Sequence, residues 1–160
     1  MKGIAVDLVK LLASIVICQL AGVVGSFVTT PAIPMWYASL RKPAFTPPNW
    51  LFAPVWIFLF FLMGCALFLI WRQGVRVPAV KSALFIFGVQ LILNVLWSFA
   101  FFGLKSPLAG FVVICALWIM IIVTIIVFFR LSTIAGVLLV PYILWVSYAA
   151  VLNAAILAIN

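Results

Sequence analysis

The chain has 160 residues, with nine Lys or Arg, one acidic residue and no His, and its mean hydropathy is +1.50. Charged residues make up 6% of it, where a soluble domain carries about 25%, too few to coat a water-facing surface. That composition points to a membrane protein. The lack of imidazole excludes His-based acid–base chemistry and the common zinc and haem-iron sites.

The charges act as punctuation. Between them lie charge-free runs at 11–40, 43–71, 82–104, 106–129 and 131–160. Each is longer than the roughly 20 residues that a helix needs to cross about 30 Å of hydrocarbon. Stretches such as Phe58 to Ile70 are continuously apolar, without the alternation of a spanning β-strand. The fold class expected is an all-α membrane protein, a single domain over 1–160 built as a bundle of five transmembrane helices.

In chain order, the first helix is expected over about 4–30. Lys2 ahead of an apolar stretch resembles the start of a secretory signal, but Asp7 and Lys10 interrupt it, so it is read as a span. Asp7 and Lys10 are expected to pair at the membrane edge. Pro31 and Pro34 are expected to end this helix, since proline cannot continue the ladder. A Pro-rich lid loop over 31–50 follows, holding five of the nine prolines. Long ordered loops of this kind are often functional. Helices two to five are expected over about 51–71, 80–103, 107–129 and 133–158, with Pro141 kinking the last.

For topology, Lys2, Lys10, Arg72, Arg76, Lys81 and Arg130 collect on the N-terminal side, and Arg41, Lys42 and Lys105 on the other. The excess of basic residues predicts a cytoplasmic N-terminus. Scattered singly between apolar runs, these residues form no nucleic-acid patch. The brevity of the chain, with no targeting extension, suggests a prokaryotic cell membrane.

Polar residues inside spans need neighbouring helices or a cavity. Gln90, Asn94, Trp97 and Phe101 share one face of helix three, and Tyr142, Trp145, Ala149 and Asn153 one face of helix five. Phe52, Trp56 and Phe60 do so in helix two, and Gln19, Gly22, Ser26 and Thr29 form a small, polar stripe in helix one. Converging stripes would wall a chamber with rings and a few amides, the usual make-up of a ligand pocket. Two readings stand side by side here. The amides serve either a ligand or interhelical bonds worth about 1 kcal/mol, and Trp56, Trp97 and Trp145 either face a ligand or pack. Trp36, Trp50 and Trp71 lie at predicted boundaries and read as interface anchors, Trp118 as packing or lipid contact. Cys18, Cys65 and Cys115 show no metal-ligand spacing and read as buried apolar fillers. Small residues spaced four apart, Ala21 with Gly25 and Gly22 with Ser26, suggest a homodimer through helix one.

Around the loop the sequence reads Trp36-Tyr37-Ala38-Ser39-Leu40-Arg41-Lys42-Pro43, then Thr46-Pro47-Pro48-Asn49-Trp50 and Phe52-Ala53-Pro54-Val55-Trp56. Later come Asn94-Val95-Leu96-Trp97-Ser98 with Phe101-Phe102-Gly103, and Pro141-Tyr142-Ile143-Leu144-Trp145 with Ala149 and Leu152-Asn153. Over nearly the whole chain this resembles the tryptophan-rich sensory protein and translocator protein family (TspO, the peripheral benzodiazepine receptor family). The resemblance implies five helices, usually a homodimer, with the loop as a lid over a chamber that binds porphyrins, especially protoporphyrin IX. In animals, cholesterol and benzodiazepine-type ligands bind as well.

Carried over position by position, it implies a pocket of Tyr37, Pro47, Phe52, Trp56, Phe60, Asn94, Trp97, Phe101, Trp145 and Ala149. Some bacterial relatives degrade protoporphyrin with light and oxygen, which would give Trp56 and Trp145 catalytic roles. The helix-five cholesterol motif of animal members, an apolar residue, Tyr and a basic residue, is missing from Val151 to Leu157. The leading function is a membrane receptor for a flat, metal-free tetrapyrrole or another hydrophobic small molecule, with no required cofactor and membrane lipid as its surroundings. Arg41 or Lys42 would meet propionates at the chamber mouth. The alternative is a transporter of tetrapyrroles or other amphiphiles, although no coupling carboxylate, nucleotide motif or repeat is visible.

Overall fold

The computed structural model describes residues 2–160, and side chains from Ile4 onward. All its regular structure is helical: α1 (Lys2–Ala32), α2 (Asn49–Trp71), α3 (Pro78–Ser98), α4 (Pro107–Leu131), and a fifth span in two pieces, α5 (Thr133–Leu138) and α6 (Val140–Ile159). Among the described residues, five helices are long and apolar enough to cross a membrane, as the charge spacing predicts.

The prolines do not end the first helix. Pro31 lies inside α1, and Pro34 lies in a π turn over Ile33–Tyr37 that carries the helix on past Ala38. The Ala38 N–H reaches the Ile33 carbonyl, five residues back. A π turn widens the backbone and resumes the ladder beyond a residue that has no N–H to give. The loop is therefore 40–48 instead of 31–50. A second π turn, Phe99–Gly103, extends α3 and closes with the Leu104 N–H on the Phe99 carbonyl at 2.8 Å. The two widened turns meet, with Trp36 and Tyr37 of the first against Phe101 and Phe102 of the second.

The fifth span breaks at Leu139, two residues before Pro141. There the ladder tightens to a bond from the Leu139 N–H to the Gly136 carbonyl at 3.2 Å. Polar caps start the flanking helices: Ser106 and Ser132 accept the N–H of Ala109 and Ala135. Gly74 turns the chain between α2 and α3 at φ 105°, a conformation that glycine adopts without a Cβ clash.

α1 packs on α2 and α3, α2 on α5, and α4 on α3, α5 and α6, so around the bundle the spans run one, two, five, four, three. Asp7 does not pair with Lys10. Its carboxylate lies 3.5 Å from Arg72, because the antiparallel α2 ends beside the first turns of α1. Both side chains are over two-fifths exposed, so the pair adds little stability. Gln73 donates to the Leu131 carbonyl at the same end, while Asn160 bonds Arg41 at the other. The two groups of basic residues thus sit at opposite ends of the bundle; the Lys2 side chain is outside the described ones.

α1 and α2 approach closely at Gly64, where an added Cβ would lie 2.6 Å from the Ile15 Cα. On the loop side of that contact the two helices enclose open volume.

Candidate functional site

That volume is a cavity of about 330 Å³ between α1, α2 and α3. Six of the ten expected ligand residues line it: Tyr37, Phe52, Trp56, Phe60, Asn94 and Trp97. The indoles of Trp56 and Trp97 are inclined by 33° with centroids 6.4 Å apart, and Trp56 leans on Phe60 at 5.5 Å. Phe101 and Ala149 border instead a void of about 20 Å³ toward α6. Trp145 and Pro47 border neither.

The seam between α3 and α6 is filled because it is bridged. The Asn94 amide donates to the Tyr142 hydroxyl at 2.8 Å, which donates to the Gln90 carbonyl at 3.0 Å. One turn further, the Trp97 indole N–H faces the Asn153 side-chain oxygen at 3.4 Å, and the Asn153 amide donates to the Pro107 carbonyl at 2.8 Å. The helix-three amides therefore act as interhelical bonds, and Asn94 lines the cavity as well. Trp97 stacks on Phe101 at 5.8 Å, and Phe101 meets Phe102 edge to face at 4.8 Å. Trp145 packs between Phe52 and Tyr148, with its buried N–H unpartnered.

On the α1 side the wall consists of the small, polar stripe, Gln19, Gly22, Ser26 and Thr29, joined by Gly25. Gly22 and Gly25 are spent inside the monomer: a Cβ on them would meet Phe60 at 2.7 Å and the Ser98 hydroxyl at 2.9 Å. These two glycines thus face α2 and α3, while Ser26, the partner of Gly22 in that spacing, is exposed. Gln19 donates to the Ile57 carbonyl at 2.9 Å, a single bridge across the mouth of the wedge. Among the lining residues none carries a charge, and Tyr37, 3% exposed, presents a hydroxyl with no partner. An unpaired buried hydroxyl is a donor awaiting an acceptor.

The loop is fastened elsewhere. Tyr148 donates to the Phe45 carbonyl at 2.6 Å, and Asn160 bonds both the N–H and the carbonyl of Arg41 at 2.9 and 3.0 Å. Lys42 caps the Ala38 and Leu40 carbonyls and lies 4.9 Å above the Tyr37 ring, so its ammonium is engaged. Arg41 is exposed. None of residues 40–48 lines the cavity.

Some lining residues escape the sequence reading. Ser98 and Phe102 follow Asn94 at spacings of four, a signal that was available. Trp36, read as an interface anchor, is half-buried against Phe101 because the π turn rotates it inward. Trp118, read as packing or lipid contact, has a polar neighbour: its N–H donates to Ser147 of α6 at 2.8 Å. Cys18 is buried as expected, whereas Cys115 is exposed on the outer face of α4.

The profile of the TspO/MBR family matches residues 14–159. The chain belongs to this family. It is 46% identical over 155 residues to the tryptophan-rich protein TspO of Archaeoglobus fulgidus, covering 96% of this chain and 99% of that one. The protein of the same name from Chlorobaculum tepidum is 45% identical over 144 residues, 90% of this chain and 91% of the relative. The human translocator protein is 33% identical over 120 residues, 74% and 70% of the two chains. Family membership and five apolar spans together make the chain a multi-pass integral membrane protein.

Proposed function

We propose that the chain is a membrane receptor for porphyrins, with protoporphyrin IX as the leading ligand, held in the wedge between α1, α2 and α3. The supporting observation is the pair of indoles, Trp56 and Trp97, inclined by only 33° on one wall of an uncharged cavity. A flat apolar macrocycle gains most on such faces. Tyr37 and Asn94 offer donors to an acceptor on the ligand. The volume of about 330 Å³ lies near the lower end of the roughly 300–1,000 Å³ of small-molecule sites. A porphyrin therefore fills the wedge with its ring, and its propionates stay outside the uncharged wall.

Titration of the purified protein with protoporphyrin IX, followed by tryptophan quenching, tests this. Saturable quenching that weakens in the Trp56→Phe, Trp97→Phe double variant is expected. Quenching that never saturates, or that the double variant leaves intact, sinks the reading.

A second reading, light- and oxygen-dependent breakdown of the bound porphyrin, draws on Trp145. Its ring centroid lies 6.1 Å from that of Phe52, which lines the cavity together with Trp56, so Trp145 sits one ring behind the wall. The ligand would supply the photochemistry, and the protein its positioning. Absorbance followed in light and in darkness decides this: loss that survives both Trp56→Phe and Trp145→Phe is plain photobleaching.

A cytoplasmic N-terminus is part of the same proposal, supported by the excess of basic residues at that end. A reporter fused after Asn160 and found in the cytoplasm would reverse that. Pairing into a homodimer rests on the family resemblance, and native mass spectrometry of the solubilised protein distinguishes one copy from two.

A further inference from the structure

The cavity has a missing wall, and the missing wall is not under the loop. Lining residues Val23 and Ile57 are 49% and 60% exposed, and Ser26 and Ala53 are exposed too. Val23 and Ser26 belong to α1, Ala53 and Ile57 to α2, so the four frame a side gap between these helices. Both helices are spans of membrane-crossing length and hydropathy, so the gap opens onto acyl chains. Loop 40–48 contributes nothing to the lining and is held on α6 by Tyr148 and on the chain's last residue by Asn160.

We propose that the cavity is loaded sideways from the bilayer through the gap framed by Val23, Ser26, Ala53 and Ile57, while the loop stays fastened. The ligand is then an amphiphile dissolved in the membrane whose buried part is uncharged. Two facts agree with this. The wall has no ionisable group other than the Tyr37 hydroxyl to receive a charged moiety, and a charge in such a wall is costly unless paired. The polar side chains of α1 beside the gap are already engaged: the Ser26 hydroxyl donates to the Val23 carbonyl at 2.7 Å, and the Gln19 amide to the Ile57 carbonyl at 2.9 Å. The proposal deepens the receptor reading, but its first test requires no porphyrin.

Thr29 lines the cavity and is half-buried. In a background carrying Cys18→Ala, Cys65→Ala and Cys115→Ala, the thiol introduced by Thr29→Cys is exposed in phosphatidylcholine vesicles to two maleimides, one with a long alkyl chain and one sulfonated and impermeant. The alkyl reagent is expected to react about tenfold faster, since the path then needs no conformational change. Ser26→Trp or Ile57→Trp, two independent plugs of the gap, should each remove that advantage. Tyr148→Phe with Asn160→Ala, which unfastens the loop, should leave both rates unchanged. Labelling that survives both plugs, or that speeds up when the loop is freed, overturns the proposal. Protoporphyrin association rates in the same variants should follow the labelling. If labelling behaves as expected while protoporphyrin never saturates, the receptor reading fails and the side entry stands.

Discussion

At the loop end of the bundle, the rings of α2 face two flanks with opposite results. Toward α6, the Phe52 ring meets Trp145, and behind it the α3–α6 seam is bridged by Asn94, Tyr142, Gln90, Trp97 and Asn153, so that only about 20 Å³ remains open. Toward α1, glycines replace rings, one Gln19 bond replaces a network, and about 330 Å³ stays open. Aromatic content alone therefore does not make a chamber. Rings whose helices are tied together by polar bonds pack into a core, and rings facing a stripe of small residues leave room.

The difference can be broken at its origin. Gly64→Val sets a branched side chain against the Ile15 backbone, where nothing flexible can yield, and should cost about 3 kcal/mol by forcing α1 away. Denaturation in a detergent series measures it, and a variant as stable as the parent would show that the two helices do not depend on that crossing.

Next in size is Tyr142→Phe on the bridged flank. It keeps the ring but strands the Asn94 amide and the Gln90 carbonyl, and a loss of about 1–2 kcal/mol is expected in the same assay. On the open flank, Gly22→Ala presses a methyl toward Phe60 and narrows the wedge. Protoporphyrin affinity should fall several-fold, about 1 kcal/mol, with little change in stability; an unchanged affinity would move the ligand out of the wedge. The smallest effect belongs to Trp118→Phe, which removes one bond to Ser147 on the outer face. About 0.5 kcal/mol is expected, with porphyrin titration unaltered.

The number and order of spans were legible, because nine basic residues and one acid mark the ends of every apolar run. The residue types of the pocket were legible as well: the stripes on α1, α2 and α3 do converge. Three things were not. Pro31 and Pro34 look like stops, yet a π turn bypasses them, and no local pattern distinguishes a proline that ends a helix from one that a wider turn accommodates. The partner of Asp7 is Arg72 instead of Lys10, since a contact between antiparallel spans is invisible to spacing within one helix. The position of the open volume, on the loop side of the close contact between Gly64 and Ile15, was the third. Helical periodicity tells which residues share a face, but not how far that face stands from the next.

The crossing at Gly64 and Ile15 also makes α1 a lever. From Ile15 to Gly25 is ten residues, about 15 Å along the axis, so each degree of tilt about the crossing moves the cavity's outer wall by roughly a quarter of an ångström. The tilt of a span answers to the thickness of the surrounding hydrocarbon. The width of this cavity is therefore set jointly by the chain and by the lipids around it, and the protoporphyrin titration should give different affinities in bilayers of different thickness.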